Sequence, residues 1–508
     1  MVKRVVSLFV VTFLLVTSVS PFAARKKKKE VNLPPLQQCL KDYHNGNYKK
    51  ALSSAIEARK ANPKDPGVAE AWGRINLAMG RPATAIGALN ILCRERGTAA
   101  DYRLLALANN MLGRTGAAAA ALKKMGAAQD VTAEDLYAIA RSADDAPSCL
   151  AALKRMAADF PETSTAVAPE IAFWSSKGTA RLRAPSRAAG PKGIELHMKT
   201  LYNLEWLVSK TADNKDLWLL IDTAARQTVI STETAEHLGL KDITQAAFPL
   251  PGSYEGEPAH RYTLLKSLDI GGYEIDNVPA LVVKDAAGLL RFREGRVVPK
   301  GILGMDLLGK FNFRFDRTKM TLTLFPRSVT GDALKGETGG DWKERPAFLA
   351  NDQIVTPSSL GEKNPLLAVV DTGSTFVMAA TGVVKGTGLR STSRNRVNLT
   401  PSANFIMPEG SIGTPMAQIS RLQSYIMGWM NEALPLTGEV RTIPRGAVVG
   451  FAGKGFNITY LPLYPKTLGS SDLPVGLYIG RKITDFYTLA FDFKRGKMYA
   501  KQVLFKKK

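Results

Sequence analysis

The alternation of hydrophobic and polar positions changes character once along this chain, close to residue 175. Upstream, over 35–165, alanine and leucine dominate, and prolines fall mainly at junctions (Pro63, Pro66, Pro82, Pro147). That texture predicts α-helices. Downstream, from about 195, short β-branched or aromatic runs alternate with Gly, Pro, Asn and Asp turns. Leu217–Ile221, Ala280–Val283, Phe311–Phe315 and Thr321–Phe325 are examples of an all-β pattern. The stretch 175–193 between them is basic, contains Gly, Pro and Ser, has no periodicity, and reads as a linker. The fold class expected is therefore multidomain α plus all-β.

The helical part repeats. Gly46-Asn-Tyr-Lys-Lys-Ala51, Gly80-Arg-Pro-Ala-Thr-Ala85 and Gly113-Arg-Thr-Gly-Ala-Ala118 share a turn residue followed by an alanine five positions on. The glycines lie 34 and 33 residues apart, and a weaker fourth copy begins at Asp145. This period is that of helix–turn–helix solenoids. Together with Tyr43, Trp72 and Asn62-Pro63, the segment 35–165 resembles tetratricopeptide repeats, which implies a protein partner. An irregular Ala-rich bundle is the alternative. Repeats bury surface chiefly against one another, so the helices are expected to fold separately from the β part.

At 508 residues the chain exceeds one core and suggests two to four domains. Its 45% hydrophobic and 22% charged content is that of a globular protein. The formal net charge of +23 implies attraction to anionic surfaces, of which a membrane or another anionic envelope surface is the expected kind. The charge is dispersed apart from Lys26–Lys29, 177–192 and Lys506–Lys508. Without zinc-ligand spacing or an RNA-binding run, nucleic acid is not the expected partner. The cysteines are Cys39, Cys93 and Cys149, none in the β part. That excludes a disulfide framework and a cysteine nucleophile there. Lys3 and Arg4, the apolar stretch Val5–Val19 and Ser20–Ala24 make residues 1–24 an expected export signal. Phe22 and the positive run from Arg25 fit an uncleaved membrane anchor instead. Either way the expected location is the cell envelope, exported to the periplasm or the exterior.

Two stretches carry candidate chemistry. One is Trp218-Leu-Leu-Ile-Asp222-Thr223-Ala224-Ala225-Arg-Gln-Thr-Val229-Ile230-Ser231; the other is Leu366-Leu-Ala-Val-Val-Asp371-Thr372-Gly373-Ser374-Thr-Phe-Val377-Met378. Each is an apolar strand ending in Asp-Thr, a turn of small residues, and a second apolar strand. Such a strand holds a carboxylate on rigid backbone. Their sequels also correspond. Gly304 is followed by Phe311 and Asp316, and Gly480 by Tyr487 and Asp492, at offsets of seven and twelve in both cases. Each aspartate is then followed by a Lys-Met pair, Lys319-Met320 and Lys497-Met498. The ordered sets indicate an internal duplication, with lobe one at 195–330 and lobe two at 340–505.

Here the chain resembles the retropepsin and pepsin-like aspartic peptidases. The resemblance implies a two-lobed β fold, hydrolysis of a polypeptide substrate, and no metal or organic cofactor. It implies that Asp222 and Asp371 face each other as the catalytic pair and that the Thr223 and Thr372 hydroxyls cross-link the loops. Ala224, Gly373 and Ser374 would complete those loops. Segment 251–283 resembles the flap and its following hairpin, with Tyr254 and Gly256 at the tip that meets substrate. Two carboxylates about 3 Å apart share one proton. The ionised member draws a proton from water while the other polarises the scissile carbonyl. His44, His197, His237 and His260 are scattered, which leaves a Ser-His-Asp triad little support.

Lobe one departs from the family pattern. Ala224 stands where the family has glycine, adding a Cβ near the water site. A positive φ there would cost alanine roughly 1–2 kcal/mol. Ala225 has no hydroxyl, whereas Ser374 has one to offer Asp371, so Asp371 is expected to be the ionised partner. The alternative function is a catalytically inactive pseudopeptidase acting as a peptide-binding scaffold or adaptor.

Overall fold

The computed structural model describes residues 33–142, 146–176, 181–182, 192–201, 204–225, 228–242, 261–283, 299–336, 341–350, 353–359, 365–373, 377–380, 394–399, 436–443, 456–461 and 475–503. The expected export signal, most of the linker, Asp145, Tyr254, Gly256, His260 and Ser374 lie outside them. No helix among the described residues is long and apolar enough to cross a membrane.

Nine helices come first among the described residues: α1 (Pro35–His44), α2 (Tyr48–Ala61), α3 (Pro66–Ala78), α4 (Pro82–Glu95), α5 (Ala99–Met111), α6 (Thr115–Ala127), α7 (Ala133–Ser142), α8 (Ala146–Asp159) and α9 (Ser164–Ser176). The repeated glycines end α1, α3 and α5. Gly46, Gly80 and Gly113 have φ of 75°, 70° and 69°, the left-handed region where a side chain is strained. Each closes the same cap. Gly80 N–H donates to Leu77 O at 2.8 Å and Arg81 N–H to Asn76 O at 2.7 Å, and the pairs at Gly46-Asn47 and Gly113-Arg114 repeat this. The alanines five positions on, Ala51, Ala85 and Ala118, are buried. The helices are thus solenoid repeats. Burial pushes the Cys39 thiol up to about 11, in keeping with an inert core residue.

Lobe one contains β1 (Arg181–Leu182), β2 (Ile194–His197), β3 (Lys199–Leu201), β4 (Leu204–Thr211), β5 (Asp216–Ile221), β6 (Val229–Ser231), β7 (Arg261–Ile270), β8 (Tyr273–Val283), β9 (Lys300–Leu303), β10 (Phe311–Asp316) and β11 (Thr321–Pro326), with α10 (Thr232–His237) and α11 (Met305–Leu308). Lobe two contains β12 (Trp342–Pro346), β13 (Phe348–Ala350), β14 (Gln353–Ser359), β15 (Pro365–Val370), β16 (Val377–Ala380), β17 (Arg394–Leu399), β18 (Leu436–Ile443), β19 (Phe456–Leu461), β20 (Leu477–Ile479), α12 (Arg481–Thr484), β21 (Tyr487–Asp492) and β22 (Lys497–Gln502). In lobe one β8, β6, β9, β5, β4 and β7 pair in a ring, because β7 bonds to both β4 and β8; the sheet has no free edge there. β1, inside the stretch expected to be linker, adds to the outside of β8.

The duplication is visible as topology. β9 runs parallel to β5 and antiparallel to β6; β20 runs parallel to β15 and antiparallel to β16. The apolar-apolar-Gly segment therefore lies between the Asp-bearing strand and the strand that follows it in both lobes. Such centrally placed strands read as unbroken apolar runs because both faces are covered, as in Leu217–Ile221 and Leu366–Val370.

The two hairpins form a third sheet, β12-β22-β21-β10-β11-β2, which joins the lobes. Its seam is β10 against β21, with Phe313 opposite Phe491, Arg314 opposite Ala490 and Phe315 opposite Leu489. Phe313, Phe491 and Phe493 pack ring against ring there, at 4.9 Å and 5.8 Å from Phe313. Asp316 and Asp492 accept from backbone N–H groups in the turns that follow, so these two are turn caps. The Lys-Met pairs do not correspond: Lys319-Met320 lie in a turn, whereas Lys497-Met498 open β22. The position equivalent to Met320 (φ 52°), four residues after its aspartate, is Gly496 (φ 63°) instead.

The helices are not independent of the β part. Pro35–Lys508 form one compact unit, and one apolar cluster runs from Cys39 in α1 through Met111 in α5 into both lobes. α2 lies against β15 and α5 against β13. Asn110 Nδ2 donates to Leu349 O at 2.6 Å. A Cβ at Gly80 would stand 2.5 Å from Pro357 in β14, so the glycine serves the cap and the docking at once. The expectation of a separable helical domain fails because the turns between helices are themselves packed on lobe two. α7–α9 have a second apolar cluster of their own, around Leu136, Leu153 and Met156.

Candidate active site

The two Asp-Thr loops meet between the lobes. Asp222 follows β5 and its N–H donates to Leu303 O at 3.3 Å; Asp371 follows β15 and its N–H donates to Ile479 O at 3.0 Å. Each loop is thus tied to the last apolar residue before Gly304 or Gly480. Asp222, Thr223, Ala224, Asp371 and Thr372 are all 1% exposed or less.

Among the described residues, the two threonines exchange hydrogen bonds between the loops. Thr223 Oγ1 donates to Val370 O at 2.7 Å and accepts from Thr372 N–H at 3.0 Å. Thr372 Oγ1 donates to Ile221 O at 3.0 Å and accepts from Thr223 N–H at 3.2 Å. Each hydroxyl satisfies the backbone of the other lobe, a two-fold exchange that fixes the distance between the strands bearing Asp222 and Asp371. Threonine suits the position because one hydroxyl donates and accepts together.

The Asp222 carboxylate is held by its own loop: Oδ1 accepts from Ala224 N–H at 2.8 Å and from Ala225 N–H at 3.1 Å. It also reaches the opposite loop. A Cβ built on Gly373 would lie 2.4 Å from Asp222 Cγ and 2.5 Å from Oδ2, so glycine is required by the neighbour and not by its own backbone. Neither Gly373 nor Ala224 is among the described residues with positive φ, and alanine at 224 therefore carries no left-handed strain. The outer side of the lobe-one loop is pinned at two successive carbonyls: Met305 N–H donates to Ala225 O at 2.8 Å, and Gln353 Nε2 from lobe two donates to Ala224 O at 3.1 Å.

A buried charge cluster ties the lobes beside the loops. Glu205 of β4 pairs with Arg317 of lobe one and, at 2.8 Å, with Arg481 of lobe two; Arg317 reaches Asp485 of lobe two at 2.8 Å. Burial pushes the Glu205 carboxyl up and the Arg317 guanidinium down, against the pull of the ion pairs. Arg481 directly follows Gly480, so the cluster is attached to β20, the strand paired with the one that carries Asp371. No group of three or more His, Cys, Asp or Glu side chains suited to a metal occurs among the described residues.

Of the residues singled out in the sequence, the fold brings together Asp222, Thr223, Ala224, Thr372 and Gly373, with Asp371 at the mouth of the second loop. His44, His197 and His237 stand on α1, β2 and α10. Sequence reading missed Gln353 and the Glu205 cluster. Gln353, after Asn351-Asp352 and heading a strand of mixed polarity, gives no sign of its role, and charged residues next to Asp316 and Gly480 are the only sign of Arg317 and Arg481.

Residues 208–307 match the family model for aspartyl proteases. No curated protein matches the chain. Among solved structures, a retropepsin-like aspartic protease from Rickettsia conorii is 19% identical, covering 29% of this chain and 94% of its own, with a TM-score of 0.20. An aspartic proteinase from Irpex lacteus is 12% identical, covering 61% of this chain and 97% of its own, with a TM-score of 0.31. MamA protein is 21% identical, covering 28% of this chain and 79% of its own, with a TM-score of 0.25. The chain thus joins helical repeats to a β unit that is similar to aspartyl proteases over residues 208–307.

Proposed function

We propose that the β unit is an aspartic-type endopeptidase in which Asp222 and Asp371 share a proton and activate water against a bound polypeptide. The reading is carried by the reciprocal exchange of Thr223 and Thr372, which locks two Asp-ended strands loop to loop. Two carboxylates within about 3 Å of each other cannot both ionise readily. The ionised one accepts a proton from water as the oxygen attacks the carbonyl; the protonated one donates toward the developing oxyanion. Thr223, Thr372, Ala224 and Gly373 act by holding the loops. The helical repeats recruit a protein partner or the substrate, and the N-terminal apolar stretch directs the chain to the cell envelope.

A peptide-binding scaffold without turnover is favoured by one observation. Ala224 carries a Cβ where, in the mirrored loop, a Cβ would strike the opposing carboxyl.

Incubating the full chain with an unstructured protein between about pH 3 and 7, with and without a statine-type inhibitor, separates the two. Cleavage that the inhibitor blocks and that Asp222→Asn and Asp371→Asn abolish supports the peptidase. Saturable inhibitor binding without cleavage supports the scaffold.

A further inference from the structure

Besides the two aspartate loops, one lobe-two side chain reaches into the lobe-one loop. Gln353 heads β14, is 2% exposed, and donates its amide N–H to Ala224 O at 3.1 Å. The peptide group whose carbonyl it binds is the one whose N–H, that of Ala225, donates to Asp222 Oδ1 at 3.1 Å. A donor at one end of a peptide group polarises it and strengthens the donor at the other, most of all away from water.

We propose that Gln353 is a positioning residue for Asp222, acting through the Ala224–Ala225 peptide group to orient and strengthen the N–H that holds the carboxylate. Its kinetic consequence rests on the peptidase reading above. Its structural consequence does not.

The arrangement is one-sided. Gln353 lies two residues before Val355, which pairs with Val369; the residue two before Trp206, which pairs with the matching Leu220, is Leu204. A leucine side chain has no donor, so the position that matches Gln353 in lobe one does not repeat its chemistry. Gln353 breaks the symmetry that the threonines keep. It favours negative charge on Asp222, the reverse of what Ser374 suggested from sequence. It also anchors the loop where Ala224 departs from glycine: with Met305 N–H on Ala225 O, two carbonyls in a row are fixed from different lobes.

Gln353→Leu and Gln353→Glu test this in the full chain. In Gln353→Leu, kcat is expected to fall roughly ten- to a hundredfold, because the loop loses its anchor. KM stays within about twofold, and the acid limb of the kcat–pH profile moves to higher pH as ionised Asp222 loses support. A glutamic acid donates the same bond only while protonated. Gln353→Glu is therefore expected to match the wild type at the acid end and fall to the leucine level as pH rises. A residue that merely fills space would lower Tm in both variants and leave the acid limb in place; that result overturns the proposal. Amide hydrogen exchange supplies an arm that needs no turnover. Exchange at Thr223–Ala225 should accelerate in Gln353→Leu while that at Thr372–Gly373 does not. Equal acceleration in both loops, or none, overturns the proposal even if the wild type cleaves nothing, an outcome that by itself counts against the peptidase reading alone. Should the leucine variant fail to fold, the glutamate variant, compared at the two ends of its pH range, still decides.

Discussion

The carboxyl carbon of Asp222 stands 2.4 Å from where a side chain on Gly373 would begin, although the two belong to different lobes. The closeness of the loops is thus set by the absence of one methyl. Gly373→Ala is expected to push Asp222 off its Ala224 and Ala225 donors and to cost about a hundredfold in kcat, with intact folding by circular dichroism. A rate within twofold of wild type, about 0.4 kcal/mol, would mean that the loops part without consequence.

Ala224→Gly is the mirror experiment. It removes the methyl from the other loop without releasing backbone strain, since Ala224 has no positive φ. The expected outcome is a higher kcat, or activity where the parent has none. An unchanged rate in steady-state kinetics would show that the loop already accommodates the methyl.

Thr223→Val and Thr372→Val each strip a donor from a buried carbonyl, Val370 O and Ile221 O respectively. Each should cost about 1–3 kcal/mol in urea unfolding, more than the loss of an exposed hydroxyl. Because each hydroxyl also accepts from the other loop, the double variant should be non-additive by about 1 kcal/mol. Strict additivity would argue that the two bonds do not work as one lock.

Glu205→Gln leaves Arg317 and Arg481, 4% and 11% exposed, without their buried partner. A loss of about 3–5 kcal/mol is expected by denaturant unfolding, and apolar replacement of all three residues should recover most of it. A loss below about 1 kcal/mol would place the cluster among ordinary surface ion pairs.

Acid should weaken the helices first. Burial alone would raise the Glu70 and Asp101 carboxyls, but hydrogen bonds from Arg96, joined by Arg74 at Glu70 and Thr98 at Asp101, hold both below their ordinary range. The folded chain then binds fewer protons there than the unfolded chain. The stability they contribute is present above about pH 4–4.5 and is lost as pH falls through the lower, folded-state values. Thermal melts of wild type and Arg96→Met should differ at pH 7 and converge toward about pH 3. A constant gap would remove this pair from the account of acid sensitivity.

What could be read from sequence followed from how local each signal is. Gly46, Gly80 and Gly113 announce turns because a cap needs positive φ whatever the context. The apolar runs before Asp222 and Asp371 announce central strands because both their faces are buried. Matching offsets after Gly304 and Gly480 gave the duplicated hairpins, while the Lys-Met pairs misled because a turn register is set by cross-strand bonding. Gln353 and Glu205 were silent for a similar reason. Their partners lie 129 positions away in the chain at Ala224 and in a different lobe at Arg481, and neither bond has a local pattern. The docking of helices on lobe two was hidden too, since the glycines that make it possible already had a sufficient reason to be glycine.

That docking changes what a cut in the chain would produce. A cut within the sequence 183–191 would leave Gly80, Asn110 and α2 resting on β14, β13 and β15. The product is a nicked two-chain particle that migrates as one species until denatured. The helices behave toward lobe two as a resident subunit, and the strand that ends in Asp371 is part of the surface on which that subunit is seated.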